Sequence, residues 1–101
     1  MPKQQEQNRV KERIRIKEPD MYDVQMLNDD FTTMEFVVKV LKLVFYHTAS
    51  EAERLMLDIH HKGMCTVGVY TLDVARSKVD KATRMAREEG FPLRLDIKPH
   101  Q

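Results

Sequence analysis

Between Tyr22 and Phe45 the apolar residues change their period, and this constrains the fold more than any other feature of the chain. Over YDVQML, residues 22–27, Tyr22, Val24 and Met26 alternate with Asp23 and Gln25, the two-residue period of a half-buried strand. Over MEFVVKVLKLVF, residues 34–45, the apolar residues Phe36, Val37, Val40, Leu41 and Val44 recur at three and four instead. That spacing lays a wide apolar stripe along one side of a helix. Thr32 with Glu35 three residues later reads as a capping box that opens the helix, which should stop near Tyr46–His47.

The same reasoning carries through the rest of the chain. Ser50 with Glu53 reads as a second capping box, with Thr48 and Glu51 as a competing register, and Ala52, Leu55, Met56 and Ile59 share one helical face. Gly63 can end that helix because glycine tolerates a left-handed backbone. MCTVGVYT, residues 64–71, reads as a strand in which Gly68 marks a bulge or a close approach. Thr71 can cap a third helix with Val74, Ala75, Val79, Ala82, Met85 and Ala86 on its buried side, ended by Gly90. After Pro92, Leu93, Leu95 and Ile97 alternate with Arg94, Asp96 and Lys98 as a final strand. The order is β-α-α-β-α-β: an α+β sandwich with three helices packed on a short sheet.

At 101 residues the chain should hold one folded core, with every apolar face in use. That core is expected over residues 20–101. Residues 1–19 carry little apolar material, and six basic against three acidic residues give the arm a charge of +3. Such a composition cannot bury enough to repay ordering, so a mobile tail is expected; the alternation RIRIK, residues 13–17, could instead extend an edge strand.

Seventeen basic residues against sixteen acidic ones leave a formal charge of +1, which argues against a dedicated nucleic-acid binder. Cys65 stands alone and can form no internal disulfide. No apolar run approaches the roughly 20 residues of a membrane span, and MPKQQEQNRVKERIRIKEP lacks the apolar stretch of a secretory signal. A cytoplasmic protein away from membranes is expected.

Catalytic and metal chemistry find little footing. His60 and His61 are neighbours on a predicted helix, so their side chains leave it about 100° apart and cannot both hold one ion. One cysteine excludes the Cys–His spacing of a zinc site, and DDFTTME lacks the alternating oxygens and glycine of a calcium loop. No phosphate-binding glycine loop or nucleophile elbow is present. Neither an enzyme, a metal nor a cofactor is expected.

What remains is a polar loop beside apolar helices. Asn28, Asp29 and Asp30 stand between the first strand and the first helix, and Met56 and His60 lie one turn apart on the second helix. If the two helices pack side by side, Met34, Val37, Met56 and Ile59 line an apolar hollow rimmed by Asn28, Asp29 and His60. Such a hollow suits a ligand with an apolar body and a positive head, and methionine is flexible enough to line it. The residues equally allow a plainer reading, in which Met56 and Ile59 are core and the acids serve only the helix N-terminus.

LNDDFTTMEFV, LMLDIHHKG, TLDVARSKV and GFPL, in that order, resemble the ClpS family, adaptors of the bacterial ATP-dependent Clp proteases. The likeness runs from about Met21 to Ile97. It implies a three-stranded antiparallel sheet with three helices, similar to the C-terminal domain of the ribosomal stalk protein. It also implies that the protein binds substrates beginning with Leu, Phe, Tyr or Trp and delivers them to a Clp unfoldase. Carried onto this sequence, Asn28, Asp29 and His60 hold the free α-amino group and first peptide unit. Met34, Val37, Met56, Ile59 and Leu93 line the side-chain hole, with Asp30 and Thr32 on its rim and Met34 as gatekeeper against β-branched residues. Asp73 and Lys78 would meet the N-terminal domain of a ClpA- or ClpC-type unfoldase, the arm would act in delivery, and a monomer is expected.

Three positions depart from the family pattern. Thr33 replaces a usual proline, Ile59 a common valine, and Arg76 an acid often found near the unfoldase contact. On sequence grounds alone Asp73 and Lys78 are ordinary solvated charges. Two other functions remain in view: a stalk-type interaction module needing no pocket, and weak nucleic-acid binding through the basic arm, for which no aromatic platform exists.

Overall fold

The structure, a computed structural model, describes residues 19–101. Residues 1–18 of the expected arm, and the possible edge strand at RIRIK, lie outside the described residues. The chain forms β1 (Met21–Leu27), α1 (Met34–Leu43), α2 (Ala49–Lys62), β2 (Met64–Thr71), α3 (Leu72–Glu88) and β3 (Arg94–Pro99). β1 is the central strand of an antiparallel sheet ordered β2-β1-β3. The expected element order and fold class are those observed.

The two periods in the sequence become the two sides of one core. Val24 and Met26 of β1 are fully buried, as are Val40, Leu41, Ala52 and Val67 to within 2%. α3 packs across all three strands, and the residues it buries are Ala75, Ala82 and Ala86; side chains this small let a helix lie close on a sheet. Val74 departs from expectation. It is 43% exposed, because it faces the C-terminal end of α1 rather than the sheet, in a cavity it shares with Val44 and Tyr46. β3 begins at Arg94, one residue later than expected, with Leu93 buried just before it.

Gly68 serves both purposes proposed for it. Val24 pairs with Gly68 while Gln25 pairs with Thr66, so Val67 is the extra residue of a β-bulge. A Cβ at Gly68 would also collide with the Tyr70 ring. The carbonyl of Val67, displaced by the bulge, accepts a 2.6 Å hydrogen bond from His47 Nε2.

Two helix starts differ from the expected capping boxes. α1 is capped by Thr33, whose hydroxyl accepts from Phe36 N at 3.2 Å, not by Thr32. The cause is local: Thr32 has already donated both its amide and its hydroxyl to Asp29. At α2 the Thr48 register wins over Ser50. Thr48 Oγ1 accepts from Glu51 N, and the Glu51 carboxylate turns to His47 Nδ1 at 3.3 Å rather than back to the cap. Thr71 stands at the N-cap of α3 but makes no side-chain capping bond.

α1 and α2 close with left-handed residues. Gly63 has φ 86° and donates its N–H to Ile59 O. Beyond α1, Tyr46 takes φ 57°, a conformation that costs a residue with a Cβ about 1 kcal/mol or more.

Candidate functional site

The loop after β1 is built around the Asp29 carboxylate. Oδ1 accepts the N–H groups of Phe31 (2.8 Å) and Thr32 (2.6 Å), and Oδ2 accepts the Thr32 hydroxyl at 2.7 Å. An aspartate that bonds the backbone two residues on is the natural organiser of such a turn. Burial pushes the Asp29 carboxyl up, but the bonds from Thr32 and Phe31, helped by the charge of Arg87, outweigh it and hold the group below its ordinary value. Asp29 is therefore a carboxylate at neutral pH, and its oxygens keep lone pairs to spare.

A second tie fixes this loop to the far helix. Asn28 N–H donates to Gly63 O at 2.9 Å, and Gly63 is the residue that ends α2. The acidic loop and the last turn of α2, with His60 on it, are thereby held across from each other. Between them opens a cavity of about 350 Å³ lined by Asn28, Asp29, Asp30, Phe31, Thr32, Thr33, Met34, Val37, Met56, Ile59 and His60. That volume lies at the small end of ligand cavities, roughly 300–1,000 Å³, and suits one side chain with its backbone.

The cavity is divided by chemistry. Val37 and Ile59 are buried core residues, Met56 is half-buried, and Met34 stands 48% exposed at the mouth. Asn28, Asp30 and His60 are exposed and Asp29 half-exposed, so the polar atoms stand together on the rim. The lining holds two carboxylates and no lysine or arginine. An apolar floor below an acidic rim can take an apolar side chain and neutralise a cation attached beside it.

Nine of the expected pocket residues thus meet at one place. Leu93 does not line the cavity: it is 1% exposed within the core, its carbonyl held by Arg87 Nη1 at 3.0 Å. Phe31 and Thr33 line it without having been expected. Phe31 is 75% exposed, and the signal for it was an aromatic residue inside a polar loop, on neither apolar face.

Asp73 and Lys78 also meet, in a different cavity of about 360 Å³ with Val44, Tyr46, Val74, Ser77 and Lys81. It lies at the other end of α1, about 15 Å along the axis from Met34 to Val44. Lys78 is not the ordinary solvated charge expected from sequence, since its Nζ donates to Val44 O at 2.7 Å.

Comparison with known proteins agrees with this geometry. Residues 17–96 match the family described as ATP-dependent Clp protease adaptor protein ClpS. An ATP-dependent Clp protease adapter protein ClpS from Acetivibrio thermocellus is 52% identical over 86 residues, 85% of this chain and 87% of the relative. Its counterpart from Deinococcus radiodurans is 49% identical over 88 residues, 87% of this chain and 78% of the relative. The solved structure of Agrobacterium tumefaciens ClpS2 bound to L-phenylalaninamide superposes with a TM-score of 0.79 at 40% identity, covering 82% of this chain and all of that one. On this sequence and fold, the chain belongs to the ClpS family of adaptor proteins of the ATP-dependent Clp protease.

Proposed function

We propose that this protein is a non-catalytic reader of N-terminal residues, binding proteins that begin with Leu, Phe, Tyr or Trp and delivering them to a Clp unfoldase–protease. The observation that carries this reading is a cavity in which an apolar floor and an acidic rim meet. L-phenylalaninamide, bound by the Agrobacterium relative, is an apolar side chain with a free amine and an amide in place of the carboxylate. It therefore has the chemistry of the first residue of a polypeptide.

In this reading the first side chain enters between Met34, Val37, Met56 and Ile59. The α-ammonium meets the free lone pairs of Asp29, with Asn28 and His60 taking the remaining hydrogen bonds of the first peptide unit. Asp30 and Thr32 complete the rim, Thr32 by fixing the Asp29 carboxylate. Burial of one large apolar side chain contributes roughly 1.5–3 kcal/mol and each hydrogen bond to a charged group about 1.5–3 kcal/mol. After ordering costs, affinity on the order of micromolar follows.

Residues 20–101 are the reading core and residues 1–19 an arm used in delivery. The surface carrying Asp73 and Lys78 faces the N-terminal domain of a ClpA- or ClpC-type unfoldase, and the adaptor works as a monomer in the cytoplasm. The test is reconstituted degradation. A Clp unfoldase–protease given a folded substrate that begins with Leu should degrade it faster when this protein is added, and the same substrate beginning with Gly should not respond. Equal responses from both would overturn the reading.

A further inference from the structure

Two of the apolar residues lining the cavity between the acidic loop and α2, Met34 and Met56, carry thioether sulfurs. A thioether is apolar, yet mild oxidants turn it into a polar sulfoxide without breaking the chain. Access to solvent decides which methionines react first. Among the described residues, Met26 is fully buried and Met56 and Met85 are half-buried, while Met21 and Met64 are each 39% exposed and Met34 is 48% exposed. Met34 alone of these is both exposed and part of the cavity lining.

The fold holds that sulfur where its chemistry matters. Met34 opens α1 directly after the cap residue Thr33, whose hydroxyl accepts from Phe36 N, so its backbone is fixed at the cavity mouth. In the oxidation, a lone pair of the sulfur attacks one oxygen of hydrogen peroxide. The O–O bond breaks, an S–O bond forms, and the second oxygen leaves as water; sulfur gives up two electrons and the peroxide takes them. The new sulfoxide oxygen is a strong acceptor kept satisfied by water. An apolar side chain filling the mouth would strip that water away, and the charged neighbours in the lining are two carboxylates with no lysine or arginine. A polar group desolvated without a partner opposes binding.

We infer that Met34 is a reversible modification site. An oxidant of the peroxide class converts it to the sulfoxide and closes the cavity to apolar first residues. A methionine sulfoxide reductase, which returns the thioether while a dithiol becomes a disulfide and water is released, opens it again. The inference rests on the reading of this cavity as a binder of N-terminal residues, to which it adds a chemical control.

The test treats the full-length protein with hydrogen peroxide and follows two quantities. Mass spectrometry of proteolytic fragments gives the sulfoxide fraction at each methionine, and anisotropy gives the affinity for a labelled peptide beginning with Leu. Met34 should oxidise ahead of Met26, Met56 and Met85, and saturating Leu peptide should slow Met34 while leaving Met21 and Met64 unchanged. Affinity should fall by about tenfold or more as Met34 oxidises, and a mixture of the two reductases that act on the two sulfoxide epimers should restore it. Met34→Leu and Met56→Leu are treated in the same way, each compared with its own untreated affinity. Met34→Leu should lose nothing to peroxide, whereas Met56→Leu should lose as much as wild type.

Unchanged affinity in wild type with Met34 oxidised would overturn the inference, as would oxidation of Met56 before Met34. A peroxide-treated Met34→Leu that weakens like wild type would place the effect on another residue, and a loss that the reductases cannot reverse would overturn the reversibility. Untreated wild type that does not bind the Leu peptide would instead overturn the reading of the cavity itself, and the control with it.

Discussion

Asp29 holds two jobs that one substitution can separate. Its Oδ1 gathers the amides of Phe31 and Thr32, its Oδ2 takes the Thr32 hydroxyl, and its charge faces the cavity rim. Asparagine keeps an oxygen where Oδ1 stands and forms the same turn, but it loses the charge and replaces the acceptor for Thr32 with a donor. Asp29→Asn should therefore cost about one neutral hydrogen bond of stability, roughly 0.5–1.5 kcal/mol. Asp29→Ala loses all three bonds; since water reaches this exposed loop, the sum should be about 2 kcal/mol. Binding should respond in another order. Removing a hydrogen bond between a carboxylate and an ammonium costs about 1.5–3 kcal/mol, or roughly 10–150-fold in Kd, and both variants lose it. Urea denaturation followed by circular dichroism reads the first quantity, and anisotropy of a labelled peptide beginning with Leu reads the second. If Asp29→Asn bound that peptide within threefold of wild type, the carboxylate would not be the ammonium's partner. If it lost as much stability as Asp29→Ala, the proposed division of labour would be wrong.

Other consequences can be checked alongside. Because the folded Asp29 carboxyl titrates below its ordinary value of 3.8, its stabilising contribution is complete above that pH and is lost as pH falls through the lower folded value. The stability that the Asp29 carboxylate gives the loop should hold from pH 7 to 5 and decline only below about 3.8, as urea denaturation across a pH series would read. Met34, 48% exposed at the cavity mouth, should act as the gatekeeper, so Met34→Ala should admit peptides beginning with Ile or Val; continued rejection would remove that role. Gly63→Ala meets no atom within 4 Å but keeps φ 86°, so it should lose roughly 1–2 kcal/mol in urea denaturation through backbone strain alone. Ile59→Val trims a methyl from the cavity wall and should cost roughly 0.5–1.5 kcal/mol of stability while shifting preference towards Trp, measured by ranking Leu, Phe and Trp peptides.

The fold was legible because each element carries its own period. The stripe Phe36, Val37, Val40, Leu41 and Val44 is buried as spaced, and the bulge announced by Gly68 occurs there. The cavity was legible in part because Met56 and His60 lie one turn apart on one helix. What escaped depended on partners that linear spacing does not reveal. Thr32 fits a capping box until Asp29 takes its amide and hydroxyl, which hands the cap to Thr33. Leu93 is buried with Leu95 as their alternation implies, and what fails is the cavity-lining role that the resemblance carried onto it, since its side chain lies within the core. Lys78 resembles any exposed lysine until α3 packs it against a carbonyl 34 residues away.

The central claim is that the cavity reads a free N-terminus together with an apolar first side chain. The most direct test is fluorescence anisotropy of two labelled peptides beginning with Leu, identical except that one is N-acetylated. The account predicts binding of the free peptide near micromolar and at least about tenfold weaker binding of the acetylated one, since acetylation removes the charge that Asp29 would hold. Equal affinity for the two would contradict it, because the acidic rim would then take no part in recognition.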